Sequence, residues 1–171
     1  MNKMRIFIEK NLLSTIIGVV FLLVSSQGNA MIETLSLFDL VSSSEWILLA
    51  RLESKSELPP AAEGQLPLLK NVLSCAQCLK GEWSASSPVE ILTIGPISGR
   101  PRIEDNVRFP EAPYQVLLFL HTNKNGKIDL VNSWQGMWPM NPTSRKFEGM
   151  GLGTSLEQVL TEIETQEKRK Q

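Results

Sequence analysis

The sequence has few of the side chains on which catalytic and metal sites depend. Its 171 residues include one histidine, one tyrosine and two cysteines, and aromatic residues make up 6% of the chain. With His121 as the only histidine, a Ser-His-acid triad has one possible base, and no Gly-x-Ser-x-Gly motif accompanies it. Two cysteines and one histidine also fall short of the four ligands of a structural zinc site. The composition therefore gives little support to an enzyme, and we expect no metal and no cofactor.

The sequence also lacks an excess of charge of either sign. It holds 17 Lys and Arg residues against 18 Asp and Glu residues, a net charge of −1. Nucleic-acid-binding proteins usually carry a clear basic excess, so no nucleic-acid partner is expected. Ten prolines and eleven glycines are too few for a collagen-like or low-complexity chain. These absences indicate an ordinary globular protein with the length of a single domain.

The apolar run near the N-terminus predicts export. Basic side chains at positions 3, 5 and 10 precede the apolar run 12–24, and the small residues Gly28 and Ala30 follow it. This order is that of a secretory signal peptide cleaved after Ala30. The alternative is a membrane anchor, but the run of about 13 residues is shorter than the roughly 20 that a spanning helix needs. We therefore expect a cleavable signal peptide over residues 1–30 and a periplasmic or extracellular protein, which meets the membrane only through the uncleaved segment.

Removal of this segment makes the remaining chain mildly acidic. Residues 1–30 hold three basic residues and one acidic residue, so residues 31–171 keep 14 basic and 17 acidic side chains, a net charge of −3. A domain of this charge is not suited to hold anionic membranes or polynucleotides electrostatically. We expect residues 31–171 to form one globular domain with a frayed, charged tail from about Gln166.

Apolar periodicity after residue 31 indicates strands between two helices. Helical spacing predicts one helix over Glu33–Ser43 and a second over Thr154–Gln166, the latter opened by a capping box at Thr154–Glu157. Apolar or alternating runs predict the strands Trp46–Leu52, Leu68–Leu79, Pro88–Ile94, Tyr114–Leu120 and Lys127–Ser133, with a last strand edge over Trp134–Met140. Asn125-Gly126 predicts a hairpin turn, while residues 54–67, 95–113 and 149–153 are expected to be loops. This pattern is typical of a mainly β domain, and we expect a small antiparallel barrel of five or six strands with a short N-terminal and a C-terminal helix.

Cys75-Ala76-Gln77-Cys78 is the only reactive group of residues in the sequence. In an exported chain, an even cysteine count favours a structural disulfide or buried thiols. A redox-active pair and metal ligation are the alternatives. In a straight strand, three rises of about 3.3 Å would separate the two residues by roughly 10 Å, beyond the ~7 Å limit for a disulfide. A closed bond therefore requires a turn or bulge at Ala76-Gln77.

Two further motifs are better explained by structure than by ligand binding. Residues 121–132 partly match a calcium loop, but His121 and Asn132 occupy its first and last ligand positions, so a hairpin turn is the better interpretation. His121 itself is expected to be a solvated side chain at a strand end. Gly149–Gly153 precedes a helix but lacks the Gly-x-Gly-x-x-Gly spacing, which favours a flexible connector over a phosphate site.

The segment 133–140, Ser-Trp-Gln-Gly-Met-Trp-Pro-Met, holds the candidate binding residues. Trp134, Trp138 and Met137 could stack on a sugar or contact a partner protein. Gly136 and Pro139 interrupt regular strand pairing, which suggests that the two rings lie at a barrel rim. Packing in the core is the alternative for these side chains.

The order of the elements resembles a known group of proteins. A short helix, WILLARL, a strand ending in LKGEW, PVEILTI and YQVLLFL with a hairpin follow one another over roughly Leu35–Trp138. This order is similar to that of a group of uncharacterised exported bacterial proteins whose fold is related to the oligonucleotide/oligosaccharide-binding (OB) barrel and to tissue-inhibitor-of-metalloproteinase domains. The resemblance implies an OB-like barrel and supplies no catalytic residues. Its protease-inhibitor members use a cysteine at the mature N-terminus, whereas this chain would begin at Met31.

Taken together, these features predict an exported, non-enzymatic binding or interaction module for a protein or saccharide ligand. The alternative is a thiol-redox or redox-sensing protein that uses Cys75 and Cys78. An enzyme that depends on His121 is a distant third possibility.

Overall fold

The computed structural model describes residues 34–60, 65–95, 107–149 and 152–169. The expected signal peptide, residues 1–30, lies outside them, as do residues 96–106 of the expected loop 95–113. In chain order, the elements are α1 (Leu37–Ser43), β1 (Trp46–Leu58), β2 (Leu68–Lys80), β3 (Val89–Ile94), β4 (Tyr114–Thr122), β5 (Ile128–Leu130), a 3-10 helix (Ser133–Gly136), β6 (Met137–Pro139), β7 (Phe147–Gly149), β8 (Leu152–Thr154) and α2 (Leu156–Arg169). The mainly β class with one short N-terminal and one C-terminal helix is therefore confirmed. No helix in these described ranges is long and apolar enough to cross a membrane.

Six strands form one antiparallel sheet. Five of them follow one another in the order β3-β2-β1-β4-β5, and the sixth, β6, pairs with β4. β6 shares the outer edge of β4 with β5, because β5 pairs with residues 120–122 and β6 with residues 116–118. The two ends of this order curl toward each other, so that β3 and β5 come into contact. Within the described residues no ladder joins these two strands. The sheet is curled but not closed, and the predicted barrel is not confirmed.

The central strands β1 and β4 are buried on both faces. Leu48, Ala50 and Leu118 belong to a core cluster on one face, while Ile47 and Phe119 belong to a second cluster on the other. This double burial explains why both strands are continuous apolar runs rather than alternating ones. Complete burial of a leucine side chain stabilises the fold by about 2 kcal/mol, so the buried leucines of these two strands contribute strongly to the stability of the domain.

The two helices cover the second cluster and are capped by short polar contacts. Ser36 caps α1 by accepting a hydrogen bond from the Asp39 backbone N–H at 3.2 Å. In α2, the Ser155 N–H donates to Gln158 Oε1 at 2.8 Å and the Gln158 N–H donates to Ser155 Oγ at 3.3 Å. This is a Ser-x-x-Gln capping box, one residue later than the box predicted at Thr154–Glu157.

Lys80 at the end of β2 caps the other end of α1. Its Nζ donates hydrogen bonds to the carbonyl oxygens of Val41 at 2.5 Å and Ser44 at 2.6 Å. The last carbonyl groups of a helix have no partner within the helix, so the ammonium group satisfies them and complements the helix dipole. The end of β2 and the end of α1 are thereby joined.

Three parts of the prediction differ from the structure, namely the end of β1, the end of β5 and the connector at 149–153. β1 continues to Leu58, since each residue from Ser54 to Leu58 pairs with a residue of β2, up to the Leu58–Leu68 pair. β5 ends at Leu130 because Asn132 and Ser133 adopt positive φ angles of 50° and 57°, which turn the chain into the 3-10 helix. The expected connector at 149–153 instead contributes to the β7–β8 hairpin, which buries Phe147; residues 150 and 151 lie outside the described residues.

Candidate binding cleft

The structure places two of the three candidate binding residues in the core. Trp138 is 4% exposed and Met137 is 8% exposed. The Trp138 ring lies 5.0 Å from the Phe119 ring, and its Nε1 donates to the Gln135 carbonyl at 2.6 Å. Gly149 packs directly on the indole, since a Cβ there would lie 2.0 Å from Trp138. These contacts favour the core-packing alternative for both side chains.

The residues next to Trp138 hold the segment 133–140 against the rest of the domain. Gln135 is 1% exposed, and its Oε1 accepts hydrogen bonds from the Leu35 N–H at 3.0 Å and from Asn132 Nδ2. Gly136 is equally constrained, because a Cβ would lie 2.6 Å from the Val131 carbonyl oxygen. The segment therefore ties the chain before α1 to the end of the β4–β5 hairpin. Trp134 is partly buried against the first core cluster, and a binding role for it stays a prediction.

A cleft of about 520 Å³ lies where β3 faces the β4–β5 hairpin. It is lined by an aromatic ring, apolar side chains and polar or charged groups: Trp83, Pro88, Glu90, Leu92, Asn123, Lys127, Ile128 and Asp129. A smaller hollow of about 220 Å³ adjoins it, sharing Leu92 and Asp129. Ligand pockets commonly have volumes of about 300–1,000 Å³, so the larger cleft is of the size that holds a small ligand.

Trp83 is held at one end of the cleft by its own loop. Its ring stands edge-on to Trp46, with 5.6 Å between centroids and 82° between planes. The Trp83 Nε1 donates to the Ser87 carbonyl oxygen at 3.0 Å, and Trp46 Nε1 donates to the Glu82 carbonyl oxygen at 3.1 Å. Both indole N–H groups are thus satisfied by backbone, which orients the rings.

The hairpin that forms the opposite wall is fixed by an asparagine. Asn123 Oδ1 accepts hydrogen bonds from the backbone N–H groups of Asn125 at 2.9 Å and Lys127 at 3.1 Å. Gly126 adopts a φ of 71°, and the chain reverses there as the Asn125-Gly126 pair predicted. The tight turn brings Lys127 and Asp129 to the cleft.

The charges in and beside the cleft are mixed. Glu90 forms an ion pair of 2.5 Å with Lys70 on the neighbouring strand. Asp129 accepts a hydrogen bond from the Leu130 N–H at 2.8 Å, and Lys127 is exposed on the hairpin. The cleft can therefore donate and accept hydrogen bonds without a strong net charge.

The cleft was missed by sequence reasoning because its residues come from two stretches that are far apart in the chain, 83–92 and 123–129. One sequence feature does point to it. β3 alternates Val89, Ile91 and Thr93 inward with Glu90, Leu92 and Ile94 outward, so a large apolar residue stands on the outer face. Leu92 is 48% exposed. An exposed leucine on a strand at the end of a sheet is an exception to the usual charged edge.

His121 does not line the cleft. It pairs across the ladder with Asp129 at the end of β4. Nearby, Glu45 accepts hydrogen bonds from the Thr122 N–H at 2.8 Å and Oγ1 at 2.9 Å, which lower the pKa of its carboxyl; His121 lowers it slightly further. Among the residues the structure describes, no three His, Cys, Asp or Glu side chains are grouped as metal ligands would be.

Cys75 and Cys78 both lie in β2 and are free thiols, so the expected disulfide is not formed in this structure. Leu49 pairs with Gln77 and Ala50 with Cys75, which leaves Ala76 without a partner on β1. The bulge that a disulfide would require is therefore present at Ala76. Burial raises the pKa of the Cys75 thiol, and the neighbouring Cys78 raises it further.

Comparison of the sequence with models of known protein families and with curated proteins gave no match. The resemblance to OB-like barrels stays a prediction, and a function has to be inferred from the residues of this chain.

Proposed function

We propose that this chain is an exported, non-enzymatic binding module that holds a saccharide in the cleft beside Trp83. The observation that carries the proposal is the cleft itself, with an aromatic ring and the exposed Leu92 among amide, carboxylate and ammonium groups. Export is supported by the apolar segment and small-residue cleavage site of residues 1–30.

The chemistry of the lining favours a saccharide over other ligands. A sugar ring presents an apolar face that packs on an aromatic ring, and hydroxyl groups around its edge that donate and accept hydrogen bonds. Trp83 and Leu92 offer the first kind of contact; Asn123, Lys127 and Asp129 offer the second. Because the charges are mixed, a strongly ionic ligand gains no particular advantage here.

The curled sheet supports the same proposal at the level of the fold. The strand order β3-β2-β1-β4-β5, with β3 and β5 in contact, is consistent with a five-stranded, partly open barrel of the OB type. We include membership of that fold group in the proposal. Such barrels place oligosaccharides or oligonucleotides on one side of the sheet, and the net charge argues against the second.

The proposal is tested by calorimetric titration with short, neutral oligosaccharides, namely oligomers of N-acetylglucosamine and of glucose. We expect saturable binding of one of these to the purified protein. Leu92→Asp places a charge in the cleft and should weaken binding at least tenfold, about 1.4 kcal/mol. Because Leu92 is largely exposed, the variant should remain folded.

Leu160→Asp is the matched control, since Leu160 is 37% exposed on α2 and does not line the cleft. This variant should bind like the original protein. Equal weakening by both substitutions, or no saturable binding of any oligosaccharide, would contradict the proposal. Binding of an extended peptide at the same cleft would assign it to a protein partner and likewise overturn the saccharide.

The second candidate is a thiol-redox protein that uses Cys75 and Cys78. The specific observation in its favour is the bulge at Ala76, which places both thiols against the same core cluster. A redox carrier should cycle repeatedly between thiols and disulfide in the presence of a reductant and an oxidant. Turnover of a disulfide substrate by the protein, lost in Cys78→Ser, would favour this candidate.

A further inference from the structure

The bulge in β2 brings Cys75 and Cys78 to one face of the strand, against the same core cluster. In a regular strand, residues three apart face opposite sides. Here Cys78 pairs with Leu48 and Cys75 with Ala50, and Leu48 and Ala50 are two residues apart on β1. Two rises span about 6.6 Å, inside the ~7 Å limit between the Cα atoms of a disulfide. The extra residue, Ala76, therefore shortens the separation of about 10 Å that a straight strand would impose on the two cysteines.

The Cys78 thiol also holds the turn that follows β2. Its Sγ lies 3.3 Å from the Lys80 carbonyl oxygen and 3.2 Å from that of Gly81, and the two oxygens share the single thiol proton. Gly81 has a φ of 78° and packs against Glu45 and Trp46, where a Cβ would lie 2.5 Å from the Glu45 carbonyl oxygen. The thiol thus supports a turn that only glycine fits.

The same turn leads directly to the aromatic end of the cleft. Glu82, next to Gly81, accepts a hydrogen bond from Trp46, and Trp83 follows with its ring edge-on to Trp46. A disulfide at Cys78 has no thiol proton, so both contacts to the turn would be lost. Their loss would act two residues before the ring that lines the cleft.

We propose that a small-molecule disulfide converts Cys75 and Cys78 into an intramolecular disulfide across the Ala76 bulge, and that this bond releases the Lys80–Gly81 turn and moves Trp83. Only the consequence for ligand affinity rests on the proposed binding function. The oxidation state of Cys75 and Cys78 thereby controls the position of Trp83 in the cleft.

The reaction is a thiol–disulfide exchange in two steps. The Cys78 thiolate attacks one sulfur of the oxidant RSSR, which forms a mixed disulfide and releases RS⁻. The Cys75 thiolate then attacks the Cys78 sulfur and releases the second RS⁻. The two thiol protons pass to the released thiolates, so two RSH form and RSSR takes up two electrons. Burial raises the pKa of the Cys75 thiol and so lowers its thiolate fraction, and we therefore assign the first attack to Cys78.

The test treats the purified protein with oxidised glutathione and follows intact mass and tryptophan fluorescence. We expect a product that has lost two hydrogens and carries no glutathione, with a change in emission that dithiothreitol reverses. Cys75→Ser should stop at a glutathione adduct on Cys78. Trp83→Phe should remove most of the emission change, whereas the matched variant Trp134→Phe should retain it.

Stable glutathione adducts on both cysteines of the original protein would overturn the inference, as would a closed disulfide without a Trp83-dependent change in emission. Neither measurement needs a ligand, so these failures leave the saccharide proposal intact. Conversely, a protein that closes the bond and moves Trp83 but binds no oligosaccharide would refute the proposed function alone. If both proposals hold, the oxidised protein should bind its oligosaccharide with an affinity at least severalfold different from that of the reduced protein.

Discussion

Single residues decide whether an aromatic side chain in this protein is part of the core or part of a surface. Trp138 and Trp134 are four positions apart in one short segment, yet only the first is enclosed, because Gly149 and Phe119 pack on its ring. Trp83 lies in a loop and lines the cleft. The sequence shows four tryptophans but not their neighbours, so their roles could not be separated by pattern.

At this scale we predict that Trp138→Ala destabilises the protein strongly. Removal of a buried tryptophan costs about 3–5 kcal/mol, which should lower the melting temperature by about 10 °C or more. Trp134→Ala is the matched control and should cost less, since Trp134 is only partly buried. Thermal unfolding followed by circular dichroism compares the two. Equal melting temperatures for Trp138→Ala and the original protein would refute the core assignment.

Glu45 provides a pH-dependent contact. Hydrogen bonds from Thr122 lower the pKa of its carboxyl below the ordinary value of 4.5. A lowered folded-state pKa means that the stabilisation is present above the unfolded pKa and is lost as the pH falls through the folded pKa. The melting temperature of the original protein should therefore exceed that of Glu45→Gln slightly at pH 7. This difference should vanish in strong acid, and a difference that grows on acidification would contradict the assignment.

Secondary-structure elements were predicted best where one face or both faces are buried. β2, β3 and β4 begin and end within two residues of their predicted bounds, because their apolar residues stop where the core stops. The second half of β1 could not be predicted, since its polar residues after Glu53 carry no alternation and depend on pairing with β2. Likewise, the left-handed Asn132 and Ser133 end β5 by a backbone conformation that the apolar pattern does not encode.

The capping box of α2 gives a prediction at the element scale. Ser155→Ala removes the oxygen that accepts the Gln158 N–H and should cost about 1 kcal/mol of stability. Thr154→Ala, the position expected from the sequence to open the box, is the matched control and should have a smaller effect. Chemical denaturation measures both. A larger loss for Thr154→Ala would show that the helix begins one residue earlier.

For the whole molecule, the class of fold follows from the sequence, whereas the cleft does not. Short strands, a hairpin turn and two amphipathic helices were sufficient to predict a mainly β domain. The cleft depends on how far the sheet curls, because Trp83, Leu92 and Lys127 come together only when β3 approaches the hairpin. The bulge at Ala76 is similar: the sequence showed that a disulfide needs one, but only the register with β1 places it.

The most direct measurement of the central claim is a two-dimensional NMR titration of isotopically labelled protein with the same neutral oligosaccharides. A ligand in the cleft should shift the indole N–H signal of Trp83 and the amide signals of Leu92 and Asn123, in a saturable manner. The indole signal of the buried Trp138 should stay in place. Shifts that cluster instead around Trp134, or no saturable shifts with any oligosaccharide, would contradict the account.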